Sequence, residues 1–270
     1  MAFLSLRRHG RRISALALLL APFGCTASPV EWTQQRRAAA SPAATMLEPS
    51  GALVPDSLER RARGFVPPGV VCAGSLRLAR GAGTMFATWW APQPDSSAWL
   101  LASSTNDEGR HWSPLAAVDT TDRSVSGCRR ESPAIAADSL TGYVHVTYAL
   151  QAPEGPGLFF SHSMDRGRTF HSPVAILYGD RLGRTSVAAD GDVVVVGFED
   201  PNSGTPRIGL ALSRTMGHIF EDRLLPISDD QGEASHPLTA VRGRQIAVSW
   251  EQRASATAPG ARVVRVGVLR

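Results

Sequence analysis

One eight-residue pattern recurs along this chain and constrains its fold more than any other feature. Ser163-Met164-Asp165-Arg166-Gly167-Arg168-Thr169-Phe170 has the form Ser-x-Asp-x-Gly-x-Thr-aromatic. Ser and Asp side chains at a turn accept hydrogen bonds from nearby backbone amides, and Gly takes the positive φ of a tight hairpin. The aromatic then plugs the underside of the turn. Strand-like runs flank the pattern, Gly157–His162 before it and Phe170–Leu177 after it. Thr105-Asn106-Asp107-Glu108-Gly109-Arg110-His111-Trp112 repeats it. Ser213-Arg214-Thr215-Met216-Gly217-His218-Ile219-Phe220 is a decayed copy in which Thr215 stands for the Asp. The third positions (107, 165 and 215) are spaced by 58 and 50 residues. A spacing of that size marks a blade repeat.

In three spaced copies the pattern resembles the Asp-box, or BNR repeat, of the sialidase superfamily of β-propellers. The resemblance covers nearly all of residues 64–270. It implies an all-β fold of four-stranded blades whose boxes form peripheral hairpins, on the face opposite a substrate site. Thr105, Asp107, Gly109 and Trp112 are then structural, as are Ser163, Asp165, Gly167 and Phe170. His111 and His218, which neighbour the boxes, fall under the same reading.

The second strands of the units align as Met85-Phe86-Ala87-Thr88-Trp89, Tyr143–Tyr148, Val193–Phe198 and Ile246-Ala247-Val248-Ser249-Trp250. Their alternation of apolar with small or polar residues is a period-2 strand signal. The unit occurs four times. The fourth stops at Val263–Leu269 without a box or an outer strand, while Arg63–Val71 resembles the outer strand Arg168–Ile176. The expectation is a sialidase-type β-propeller over residues 63–270. It has about four four-stranded blades in a ring, and an N-terminal strand at 64–71 pairs with 263–269 to close the last blade. Such a splice leaves no open strand edge.

Residues 1–27 read as an export signal. Arg7, Arg8, Arg11 and Arg12 precede the apolar run Ile13–Ala21, which is too short to span a bilayer. The run ends at Pro22-Phe23-Gly24-Cys25. Gly before Cys looks like a lipobox, so Cys25 is a lipidation candidate that would attach the protein to a membrane. Ordinary cleavage near Ala27 is the alternative. Residues 28–62 are rich in Ala, Ser, Pro and Arg and read as a flexible linker. With the basic leader set aside, 24 Arg face 24 Asp plus Glu, and there is no lysine. That balance argues against a nucleic-acid partner held by phosphate contacts.

With Cys25 lipidated or removed, Cys72 and Cys128 remain. They stand just before the inner strands of neighbouring units, and export places them in an oxidising compartment, which predicts a disulfide. Loops at the substrate-site face gather Arg129, Arg130, Glu131, Arg184, His236, Glu251 and Arg253 as ligand-binding candidates. Arginine forks pair bidentately with carboxylates, which suits an acidic sugar. The sialidase resemblance also implies an arginine triad opened by Arg-Ile-Pro, an Asp acid and a Tyr–Glu nucleophile pair. No intact Arg-Ile-Pro occurs here, and Tyr178 is the one loop tyrosine. No phosphate loop, Cys/His metal spacing or serine-nucleophile elbow is present, so no cofactor or metal is expected. The reading is an exported module that binds a glycan, or a cell-envelope or other protein partner, without efficient catalysis. The alternative is an exo-sialidase-type glycoside hydrolase.

Overall fold

The computed structural model describes residues 28–37, 66–229 and 232–270. Two short strands come first, β1 (Val30–Trp32) and β2 (Arg36–Arg37). After a 3-10 turn at Ala73–Ser75, blade 1 runs through β3 (Arg77–Gly81), β4 (Thr84–Pro92), β5 (Ala98–Thr105) and β6 (Ala116–Asp119). Blade 2 holds β7 (Ala134–Ala137), β8 (Val144–Ala152), β9 (Gly155–Ser163) and β10 (Val174–Tyr178). Blade 3 holds β11 (Thr185–Asp190), β12 (Val193–Glu199), β13 (Ile208–Ser213) and β14 (Asp222–Pro226). Blade 4 adds β15 (Glu233–Arg242), β16 (Gln245–Arg253) and β17 (Ala261–Leu269). Every pairing is between antiparallel strands, and each blade is a meander from inner to outer strand. Among the described residues the fold is a propeller of four blades.

Blade 4 is completed from the N-terminal side, but by a different segment from the one the repeat suggested. β1 lies antiparallel to β17, with Val30 opposite Leu269 and Trp32 opposite Gly267. β2 continues along the same edge, with Arg37 opposite Val263. The expected partner, 64–71, is irregular where it is described (66–71). The chemistry explains the choice. Pro67 and Pro68 have no amide to give a ladder. Val30 is buried, and it joins Trp32 in the apolar packing of blades 3 and 4. Gly267 leaves the space for them: a Cβ there would stand 2.5 Å from Val30 and 2.7 Å from Trp32. Residues 28–37, read as linker in the sequence, are therefore part of the propeller.

Three apolar clusters hold the blades together. Phe86, Trp90 and Leu100 meet Val146, Tyr148 and Phe159 between blades 1 and 2. Leu158 and Phe160 meet Val196, Phe198 and Phe220 between blades 2 and 3. Ile208, Leu210 and Leu212 meet Val248, Trp250 and Val263 between blades 3 and 4. Blades 2 and 3 thus bury both faces: β8 and β12 are buried almost throughout, and β12 is a nearly unbroken apolar run for that reason. Among the described residues no such cluster joins blade 4 to blade 1, so the expected ring is not sealed by packing there. Trp99 of blade 1 and Val266 and Val268 of blade 4 stay exposed. Cys72 and Cys128 form a disulfide with Cα atoms 5.3 Å apart, tying the approach to β3 to the approach to β7.

Candidate functional site

The Asp-box hairpins sit where the third strands end, and their hydrogen bonds show what the pattern is for. Thr105, Ser163 and Ser213 each accept the amide of the box glycine, at 3.0 Å from Gly109, 2.8 Å from Gly167 and 3.1 Å from Gly217. The third residue accepts the amide four positions on: Asp107 from His111, Asp165 from Thr169, and Thr215 from Ile219, all at 2.9 Å. The residue before each glycine also has positive φ, namely Glu108, Arg166 and Met216. A hydroxyl at Thr215 therefore preserves the turn without the charge. Burial works against ionisation of Asp165, but the Thr169 hydroxyl and amide, the Ser163 hydroxyl and the Arg168 amide outweigh it and hold the carboxyl at about 2. These are fold residues.

The opposite end, where the inner strands begin, encloses a cavity of about 700 Å³. All four blades line it: Arg77 and Leu78 of β3, Glu131 to Ile135 at the start of β7, Arg184 to Val187 at the start of β11, and His236 to Thr239 of β15. Arg262 of β17 reaches in from the side. Its guanidinium donates to the His236 carbonyl at 3.1 Å and to the Ser249 hydroxyl at 2.9 Å. Burial pulls its pKa below the usual arginine value, with the charge of Glu251 opposing. Arg184 Nε stands 3.5 Å from Glu131 Oε2 across the boundary of blades 2 and 3. Three guanidinium groups from blades 1, 3 and 4 therefore share one concave space.

His236 is set by an irregular backbone. β15 slips register between Ser235 and Leu238, and His236 takes φ of 57°. A positive φ in a non-glycine residue costs of order 1–3 kcal/mol and persists only where the surroundings enforce it. Glu199 is what enforces it: Oε1 accepts the His236 amide at 2.8 Å, and Oε2 accepts the Arg184 amide at 3.2 Å. One carboxylate thus aligns the cavity edges of blades 3 and 4. Glu251 lies beside them, paired with Arg253 at 2.6 Å and 3.7 Å from His236 Nδ1. The Arg253 hydrogen bond, with the charges of Arg253, His236 and Arg262, holds Glu251 below its ordinary pKa.

The residues singled out in the sequence divide accordingly. Glu131, Arg184 and His236 line the cavity, with Glu251 and Arg253 as a pair next to His236. Arg129 lies in a smaller neighbouring recess, and Arg130 is committed elsewhere. The Arg130 side chain is buried, grips Asp122 at 2.9 Å through Nε, and donates to the carbonyls of Gly127, Ser96 and Ser124. Those bonds engage it with the fold rather than with the central cavity. Arg77 and Arg262, which also line the cavity, were not picked out from the sequence. Of the tyrosines, Tyr148 is buried and donates to Asp119 at 2.7 Å, and Tyr178 stacks edge-on to Phe159 outside the cavity lining. Among the described residues, no tyrosine or aspartate lines the cavity.

A second group of side chains was not brought together by the sequence reading, which singled out only His218 of the three, as a box neighbour. His162 of β9, His171 just beyond its box and His218 in the box of blade 3 come together, each offering a nitrogen within 4.8 Å of the others. Burial, reinforced by the neighbouring His171 and His218, pushes His162 down to about 4, so it is neutral at pH 7.

No protein-family model matches this chain, and no curated protein matches it. Solved structures do. The chain resembles a protein of unknown function from Dyadobacter fermentans (14% identity, TM-score 0.52), over 70% of this chain and 51% of that one. It also resembles Hadza microbial sialidase Hz136 (18% identity, TM-score 0.48), over 66% of this chain and 42% of that one. A Trypanosoma rangeli sialidase matches at 13% identity and TM-score 0.45, over 66% of this chain and 34% of that one. The chain thus spans about half the length of these proteins, or less. At these identities the likeness is one of fold. Four-stranded antiparallel blades make the architecture a β-propeller, and its box hairpins resemble those of the sialidase type.

Proposed function

We propose that this chain is an exported binding module whose central cavity takes the anionic end of an acidic glycan or of a partner protein, without efficient turnover. One observation carries the reading: Arg77, Arg184 and Arg262 line a single cavity in which Glu131 is the one carboxylate residue among the described lining. Arginine presents a planar fork that matches a carboxylate, and partial burial strengthens that attraction. Glycoside hydrolysis needs two placed carboxyl groups, one of them kept protonated as acid. Here Glu131 faces Arg184, Glu199 is bound to two amides, and Glu251 is held ionised by Arg253. Export through residues 1–27, and membrane attachment through a lipidated Cys25, belong to the same proposal; both segments lie outside the described residues.

The test is a glycan-array screen run beside a fluorogenic sialoside assay, on the wild type and on Arg184→Ala. Binding of carboxylate-bearing glycans, weakened about 10–100-fold in the variant and accompanied by no release, supports the proposal. Robust release that disappears in Arg184→Ala overturns it in favour of a sialidase-type hydrolase.

A further inference from the structure

We propose that His162, His171 and His218 form a binding site for a divalent transition metal, with Zn²⁺ as the fitting ion, at the Asp-box end of the seam between blades 2 and 3. The site lies at the opposite end of the blades from the cavity and is independent of its reading. The His162 ring centroid is 4.4 Å from that of His171 and 4.6 Å from that of His218. The blades bring them there. Gly217 of the third box presses so closely on blade 2 that a Cβ would stand 2.5 Å from the Phe160 ring, which places the next residue, His218, over β9.

Two observations point beyond a chance cluster. His162 is 5% exposed, and its Nε2 is buried with no hydrogen-bond partner. A buried polar atom left unpaired is costly, and a metal–nitrogen bond removes that cost. His218 Nδ1 stands 2.8 Å from the carbonyl of Thr215, so the N–H is donated there and Nε2 is left with its lone pair. Metal-binding imidazoles are oriented by such a second bond. Thr215 contributes a carbonyl and a hydroxyl where the other boxes place a carboxylate, in contrast to His111, which sits 2.5 Å from Asp107.

Three imidazoles suit Zn²⁺, Cu²⁺ or Ni²⁺ rather than Mg²⁺ or Ca²⁺. Tetrahedral Zn–N bonds of about 2.0–2.1 Å put ligand nitrogens roughly 3.3 Å apart. His171 and His218 are exposed and can rotate to close the present spacing. The fourth position would be taken by water, and the ion would clip the blade 3 hairpin onto blade 2.

The experiment uses the full chain with Cys25→Ser, so that no free thiol contributes, stripped with chelator and kept free of reductant. Zn²⁺ is titrated by calorimetry and Co²⁺ by visible absorption. The expected result is one ion per chain, the intense visible bands of four-coordinate Co²⁺, and a thermal midpoint raised by Zn²⁺. His171→Ala and His218→Ala should each weaken binding by roughly 100-fold or more, beyond the 10–100-fold loss typical of an outer-shell partner. His111→Ala should leave it unchanged. The two exposed histidines keep the test decisive even if a His162 variant fails to fold. Absence of stoichiometric binding, or affinity unchanged in both His171→Ala and His218→Ala, overturns the proposal.

Discussion

The two ends of the blades are built by different means. At the Asp-box end the hydrogen bonds that shape each hairpin are local, reaching four residues from Ser163 to Gly167 and from Asp165 to Thr169. A second repeated staple joins the blades there: Asp138 accepts the Gly191 amide at 2.9 Å and Asp190 accepts the Gly243 amide at 2.5 Å, each across 53 residues. At the cavity end, among the described residues, the long-range ties are each made once. Glu199 reaches His236 across 37 residues, the Trp90 indole N–H reaches the Glu131 carbonyl across 41, and the disulfide spans 56. The rim is a code repeated in blades 1, 2 and 3, whereas the long-range ties of the cavity are single solutions. The rim can lose one copy's charge, as at Thr215, and keep its turn. The cavity has no spare copy to fall back on.

The largest test removes support from both ends together. β1 pairs along the rim half of β17 and β2 along its cavity half. A chain beginning at residue 38 should therefore be less stable than one beginning at residue 28 by about 5 kcal/mol or more. Loss of buried Val30 and of Trp32 alone accounts for roughly 3–5 kcal/mol of that, before the newly bared edge strand is counted. Denaturant melts of the two chains decide it. Coincident curves would mean that blade 4 does not need this strand.

Next in size is the covalent tie at the cavity end. A disulfide closing a 56-residue span stabilises by about 4 kcal/mol on the chain-entropy model. The double change Cys72→Ser, Cys128→Ser should lower the melting midpoint by roughly 10 °C in a protein of this size. Its effect should fall more heavily on ligand binding than on the rim. Arg77 and Glu131 both stand a few residues beyond the two cysteines, whereas the boxes do not. If hydrogen exchange rises equally at both ends, the two ends are one cooperative unit and the contrast drawn above is too sharp.

Substitutions at positive-φ positions separate the ends further. Gly217→Ala places a Cβ 2.5 Å from the Phe160 ring at φ of 87°. It should cost about 2–3 kcal/mol, against about 1 kcal/mol for Gly191→Ala, which has positive φ and open space around it. His236→Gly runs the other way, relieving the backbone and leaving stability unchanged or raised by up to about 1 kcal/mol. It should also weaken anion binding, because the cavity loses its shaped edge. Equilibrium unfolding beside ligand titration reads both effects. A destabilised His236→Gly would show that the bulge in β15 is held by the histidine side chain rather than imposed on it.

What was legible in the sequence follows the same division. The boxes could be read because Ser163, Asp165 and Gly167 satisfy one another within five residues, and the second strands because burial on one or both faces writes a period of two or a solid apolar run. Four units and the Cys72–Cys128 pairing followed from that layout. β1 was not legible: three residues, Val30 to Trp32, carry too little pattern to stand out from an Ala/Ser/Pro-rich stretch, and their partner lies at the other end of the chain. The Arg130–Asp122 pair was not legible: the charge of Arg130 was visible but its partner was not weighed. Arg77 and Arg262 sit inside strands, where a charged residue reads as a solvent-facing position. The histidine cluster joins residues 9 and 47 apart through the docking of one blade on another, a spacing that no local rule connects.

The smallest expected effect tests the rim on its own terms, by titrating the one box carboxylate whose pKa is held at about 2. Asp165 Oδ1 accepts the amides of Arg168 and Thr169 at 3.0 and 2.9 Å, and Oδ2 accepts the Thr169 hydroxyl at 2.7 Å. All these donors favour the ionised form, so the folded pKa lies below the ordinary 3.8. The unfolded chain then binds the proton more readily than the folded one between those two values. The stability contributed by Asp165 is therefore complete above pH 4 and is lost as pH falls through about 2. Because the carboxylate is largely solvated, screening leaves only about 1 kcal/mol of it. Asp165→Asn should cost that amount at pH 7, progressively less below pH 4, and nothing well below pH 2, where the wild type has taken up its own proton. Thr215→Val removes the corresponding acceptor in the uncharged box, and its cost should not change with pH. A pH-independent penalty for Asp165→Asn would mean that the turn needs only an acceptor of the right shape, and that the charge in the repeat is dispensable at every copy.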